Sequence, residues 1–175
     1  MKNIFLSFCI LLSISLVAQD QRIPLDTMVV TTNSVVIKGK KIPYKATTGM
    51  QPVFNENGET IASLYYTYYK RNDIKNDENR PIIMSFNGGP GSASVWMHIA
   101  YTGPKILKID DEGYPIQPYG IKDNPNSILD VADIVYVNPV NTGYSRPVVA
   151  KGKKLDKLKF FGINADIKYL ASWLN

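Results

Sequence analysis

Asn87-Gly88-Gly89-Pro90-Gly91-Ser92 is the stretch whose residue types and spacing point most directly to chemistry. Two consecutive glycines let the backbone turn sharply and leave peptide N–H groups uncovered by side chains. Pro90 then fixes φ and removes a competing donor. Such a loop can aim an N–H at an oxyanion, the electrostatic task of acyl transfer, in which loss of one donor costs about 3–4 kcal/mol. On these residues alone, an ordinary tight turn is the alternative.

Other reactive residue types have plainer readings. His98 is the only histidine and follows the glycine loop closely, so a structural or rim role is expected rather than that of a general base. Asp110, Asp111 and Glu112 sit before Gly113 as a hairpin turn, with no His or Cys to complete a ligand set; no metal and no cofactor are expected. Tyr65, Tyr66, Tyr68 and Tyr69 read as sheet packing rather than a stacking platform for sugars or bases. Ser85, Ser94 and Ser145 are candidate nucleophiles by type, but none lies in a Gly-x-Ser-x-Gly elbow, and no such elbow occurs in the sequence.

The elements that must position the loop are legible in outline. Thr27–Lys38, Lys41–Val53 and Glu59–Lys70 are extended segments, the last two separated by an Asn57-Gly58 turn, and together they predict an antiparallel meander. Pro81–Phe86 and Ala132–Val137 are short, nearly continuous apolar runs, as expected of strands buried on both faces. The glycine loop follows directly on the first of these. Ser92–Ala100 can open a short helix, and Ile106–Ile109 and Tyr114–Gln117 flank the acidic turn. Phe160, Ile163, Ile167, Leu170, Ala171 and Leu174 recur at helical spacing and predict one buried face, with Gly162 weakening the first turn. Buried strands alternating with helices after a meander imply an α/β sheet with an antiparallel edge.

These motifs in this order resemble the serine carboxypeptidases, peptidase family S10. The resemblance rests on Phe86-Asn87-Gly88-Gly89-Pro90-Gly91, Gly103-Pro104, Asn124-Pro125-Asn126-Ser127, Asn138-Pro139 and Thr142-Gly143-Tyr144-Ser145, and runs from about Pro43 to Asn175. It implies an α/β-hydrolase fold: a mixed, mostly parallel sheet with an N-terminal antiparallel meander, here truncated before the nucleophile elbow. It implies a secreted serine-type carboxypeptidase that hydrolyses C-terminal residues from peptides through an acyl-enzyme. Gly89 matches the oxyanion donor and Gly88 the residue that permits the turn. Asn87 matches the residue that hydrogen-bonds the free C-terminal carboxylate of a peptide substrate, and Tyr144 a wall of the pocket. The nucleophile, acid and base would lie beyond Asn175, so the chain by itself is expected to be inactive and only marginally folded. Departures from the family pattern are Phe86 for Trp, Ser92 for a frequent Cys, Asn138 for Asp and Asn141 for Gly. An acyltransferase or another hydrolase on the same scaffold is one alternative; a non-catalytic, secreted, β-rich binding domain is another.

Composition agrees with an exported globular domain. The chain has 175 residues, 45% hydrophobic and 20% charged, values that exclude a disordered tail or fibrous repeat. Its net charge of +5 is dispersed except at two short lysine clusters, so no nucleic-acid partner is expected. Met1-Lys2-Asn3, the apolar run Ile4–Val17 and Ala18 form a signal peptide over residues 1–18, cleaved near Ala18–Gln19, leaving 19–175 as the domain. Secretion or periplasmic export follows, with no membrane association after cleavage. Cys9, the only cysteine, leaves with the signal, so the mature chain carries no disulfide. Oligomeric state is not readable.

Overall fold

The computed structural model describes residues 23–75, 78–87, 91–150 and 152–174. The expected signal peptide therefore lies outside the described residues. Three long strands open the fold: β1 (Met28–Ile37), β2 (Lys40–Phe54) and β3 (Thr60–Arg71). They pair antiparallel in sequence order. The first connection is tight because Lys38 and Gly39 both take positive φ, 49° and 77°, the geometry of a two-residue hairpin turn. In the second, Asn55 Oδ1 accepts from the N–H groups of Asn57 and Glu59 at 2.9 Å each, and Gly58 takes φ 76°.

β4 (Ile82–Ser85) and β7 (Asp133–Val137) then extend this sheet, with order β1-β2-β3-β7-β4. Between them a wide helical turn, Met97–Thr102, leads into the two-stranded sheet of β5 (Lys105–Leu107) and β6 (Ile121–Asp123). β8 (Arg146–Pro147) returns to pair with Ala62 and Ser63 of β3. The helix α1 (Ile163–Leu174) closes the described chain. Among the described residues, no helix is long and apolar enough to cross a membrane.

Alternation along β3 divides the core between the two faces of the sheet. Ala62, Leu64, Tyr66 and Tyr68 lie on the side covered by Phe160, Tyr169 and Trp173. Tyr69 faces the other way, with Tyr136, Ile134 and the buried Leu129. Each tyrosine of the run has a packing partner or a polar tie: Tyr65 meets Tyr144, Tyr66 meets Trp173, Tyr69 meets Tyr44, and the Tyr68 hydroxyl reaches Asp133. Asp133, at the start of β7, is buried. It accepts from Arg80 Nε at 2.7 Å and from the Arg71 N–H at 3.1 Å.

Three sequence expectations are corrected. The sheet is mixed, but among the described strands only β4 and β7 run parallel, because the other neighbours are joined as hairpins or reversed at β3. β7 is buried along its length, as its composition implies, whereas Ile82 and Ile83 of β4 are 56% and 38% exposed. Among the described strands β4 pairs with β7 alone and stands at the sheet edge. The acidic turn forms the expected hairpin: Gly113 N–H donates to Asp110 O at 3.1 Å and Ile109 bridges Pro115 antiparallel, while β5 pairs with β6.

The helix face is the third correction. Tyr169 and Trp173 are buried, while Ile163, Ile167 and Leu174 of the predicted stripe are exposed. The tyrosine hydroxyl decides the rotation: it accepts from the Val140 N–H at 3.1 Å and donates to Asp166 Oδ1 at 2.7 Å, satisfying a buried backbone donor that an aliphatic side chain would leave unpaired.

Candidate functional site

Asn87 leaves the C-terminal end of β4, where the backbone passes into the glycine loop. Its side-chain Nδ2 donates to Ser92 Oγ at 2.6 Å, across the loop. Its main-chain N–H donates to Ser94 Oγ at 3.1 Å. Gly88, Gly89 and Pro90 lie outside the described residues. The two flanks of the loop are thus tied to each other through serine hydroxyls.

Ser94 also ties the loop to the next strand. Its hydroxyl donates to Val137 O at 2.5 Å, and its N–H donates to Asn138 Oδ1 at 2.9 Å. Ser94 is 2% exposed. A hydroxyl spent on a backbone carbonyl has a structural task, and Ser145 is spent in the same way. Ser145 Oγ donates to Asn138 O at 2.7 Å and accepts from the Tyr65 N–H at 2.8 Å. Neither serine is placed as a nucleophile.

The turn after β7 is built on Asn138, Asn141 and Gly143. Thr142 N–H and hydroxyl both donate to Pro139 O, at 3.0 and 2.8 Å, and Ser145 N–H donates to Thr142 O at 2.9 Å. Asn141 takes φ 65°, a left-handed conformation that Asn tolerates better than most residues. The departure from glycine at this position therefore keeps the turn. At Gly143 a Cβ would stand 2.2 Å from Asn138 Nδ2, and φ is 49°. Asn138 fits the place of an aspartate because its Oδ1 serves as acceptor for Ser94.

Tyr144 projects from this turn. It is 61% exposed and its ring lies 5.2 Å from that of Tyr65. It lines a cleft of about 730 Å³ together with Leu25, Met50, Ser63, Arg146 and Val148. Arg146 and Ser63 were not visible as site residues in the sequence; they meet only because β8, two residues long, pairs across β3.

His98 is not presented to this region. Its Nε2 lies 2.5 Å from the Tyr69 hydroxyl, and its ring stacks on Tyr136 at 4.6 Å. Burial lowers its pKa to about 4, and the same cause pushes Tyr136 up to about 12. A neutral imidazole packed between phenols has the structural role expected of it. Asn124 and Ser127 are likewise ties: Asn124 Nδ2 donates to Tyr101 O and Gly103 O at 2.8 Å each, and Ser127 Oγ to Thr102 O at 3.0 Å. Gly103 has to be glycine here, since a Cβ would stand 2.1 Å from His98 O. Among the described residues no cluster of three His, Cys, Asp or Glu could hold a metal ion.

Comparison with known proteins gives this geometry a context. The family model described as serine carboxypeptidase matches residues 39–174. Carboxypeptidase Y homolog A of Pyrenophora tritici-repentis is 35% identical over 92 residues, 51% of this chain and 15% of that protein. Carboxypeptidase Y of Candida albicans is 37% identical over 82 residues, 46% of this chain and 13% of that protein. The chain therefore spans about a seventh of the length of these relatives. Among solved structures, a prohormone-processing carboxypeptidase from Saccharomyces cerevisiae superposes with a TM-score of 0.55 at 23% identity, covering 75% of this chain and 27% of that one. That likeness speaks to the fold alone. With the family match running over most of the described residues, the chain belongs to the serine carboxypeptidase family.

Proposed function

We propose that this chain is the N-terminal portion of an exported serine-type carboxypeptidase, and that it supplies the electrostatic half of the active site. Gly89 N–H stabilises the oxyanion of the tetrahedral intermediate, and Gly88 permits the turn. Asn87 donates to the free C-terminal carboxylate of the peptide, and Tyr144 forms part of the pocket wall. An amide suits the task at Asn87 because it recognises an anion without bringing a charge that would itself need pairing. In the acylation step a serine oxygen outside this chain adds to the scissile carbonyl, and a base takes its proton. The intermediate then expels the C-terminal amino acid as its amine, and water later releases the acyl group. The chain by itself, with no elbow serine, is inactive on this reading.

The observation that carries the proposal is the position of Asn87. It leaves a strand end, is held by Ser92 and Ser94, and opens the glycine loop within the segment matched by the family model. Replacing Gly89 tests it in the full-length protein. Gly89→Pro removes the N–H, and the acylation rate should fall on the order of a hundredfold or more. An unchanged rate in a folded variant would end the oxyanion assignment.

A further inference from the structure

The cleft beside Tyr144 holds a cation without a carboxylate. Strand register places it there. Ser63 pairs with Pro52 on one side and Arg146 on the other, so these side chains rise on one face of the sheet. Met50 pairs with Tyr65 one step along the same face, and the Tyr144 ring leans on Tyr65.

Arg146 Nη1 donates to the carbonyls of Gly143 and Ser145, at 2.8 and 2.7 Å. Those two bonds hold one corner of the guanidinium and orient the rest. Among the described residues no Asp or Glu comes within ion-pair distance of it. Ser63 adds a second signal. It is 2% exposed and lines the cleft, and its hydroxyl is buried without a hydrogen-bond partner among the described residues. Buried hydroxyls are nearly always satisfied. Asn141, held at φ 65°, brings a carboxamide to the same rim. Around these polar groups stand Leu25, Met50, Tyr144 and Val148. A pre-oriented arginine among apolar walls, with an amide and a hydroxyl nearby, is chemistry for a planar anion carried on an apolar stem.

We infer that this cleft binds the acidic side chain of a peptide, Glu or Asp, with its carboxylate on Arg146 and its neighbouring residues against Tyr144 and Met50. The peptide character of the ligand rests on the proposed function; the carboxylate preference rests on the cleft. The volume of about 730 Å³ lies within the ~300–1,000 Å³ usual for ligand pockets and admits more than one residue.

The test is calorimetric titration of the purified protein with two peptides. Both are N-acetylated and C-terminally amidated, and they differ only in a central Glu or Gln between apolar residues. The Glu peptide should bind at least tenfold more tightly than its twin at low salt. Arg146→Gln should reduce that ratio below threefold, and Arg146→Lys should retain part of it, the charge without the fork. Tyr144→Ala should weaken both peptides equally. Equal affinity for Glu and Gln peptides, no binding of either, or a ratio untouched in Arg146→Gln overturns the inference. Should Arg146→Gln fail to fold, the Glu-to-Gln ratio of the wild type and of Tyr144→Ala decides. Because both peptides are amidated, neither engages a reader of free C-termini. A full-length protein that prefers the Glu peptide but does not hydrolyse unblocked peptides keeps this inference and loses the proposed function.

Discussion

The Ser94 N–H donates to Asn138 Oδ1 across 2.9 Å, and that bond joins the segment following the glycine motif to the turn after β7. The Ser94 hydroxyl adds Val137 O as acceptor and Asn87 N–H as donor. Ser94→Ala removes the hydroxyl and leaves a buried carbonyl and an N–H short of partners. It should destabilise the fold by about 1–3 kcal/mol, measured by urea unfolding. A variant as stable as the wild type would mean that the loop and turn are held elsewhere.

Asp133 and Arg80 form the most deeply buried ion pair among the described residues, with side chains 4% and 8% exposed. The pair also secures chain ends: Asp133 accepts from the Arg71 N–H, and Arg80 Nη2 donates to Leu129 O at 2.7 Å. Asp133→Ala strands a buried guanidinium and should cost about 3–5 kcal/mol. Arg80→Met with Asp133→Leu, read in the same urea titration, should recover part of that loss.

His98 makes stability depend on pH in a predictable direction. Its pKa is about 4 in the fold against about 6.5 in an unfolded chain. A depressed histidine favours the neutral form when folded. Its contribution is therefore complete above about pH 6.5 and is lost as pH falls toward 4, by about 1–3 kcal/mol. Unfolding free energies at pH 7 and pH 4.5 should differ more for the wild type than for His98→Gln. Parallel pH dependences would remove His98 from the account.

Ile163 and Ile167 are 81% and 62% exposed on α1, and Ile82 is 56% exposed on the edge strand β4. Exposed apolar surface and an edge strand each favour association. The 175-residue chain should show concentration-dependent scattering. Ile163→Lys with Ile167→Glu should reduce it while leaving the melting midpoint within a few degrees. A monodisperse wild-type chain would contradict this.

These contrasts show what the sequence carries. The hairpin at Asn57-Gly58 and the buried strand at 133–137 were legible because turn chemistry and continuous apolar composition are local signals. The rotation of α1 was not. Periodicity nominated Ile163 and Ile167, whereas Tyr169 won the inner face through a bond to Val140, 29 residues away. β4 read as doubly buried because composition cannot tell whether a second neighbour is present. Arg146 and Ser63 are 83 positions apart, and a two-residue strand with no periodicity joins them. Of the departures from the family pattern, Asn138 retains an acceptor and Asn141 a left-handed φ, which only the folded turn shows.

The most direct test of the central claim compares hydrolysis of one peptide and its C-terminally amidated twin by the full-length protein and by its Asn87→Ala variant. The account predicts that the wild type strongly prefers the free carboxylate. It also predicts that Asn87→Ala erodes the preference by about tenfold to a hundredfold, the worth of a hydrogen bond to a charged group. Equal kcat/KM for the two peptides in the wild type, or a preference untouched in Asn87→Ala, would contradict it.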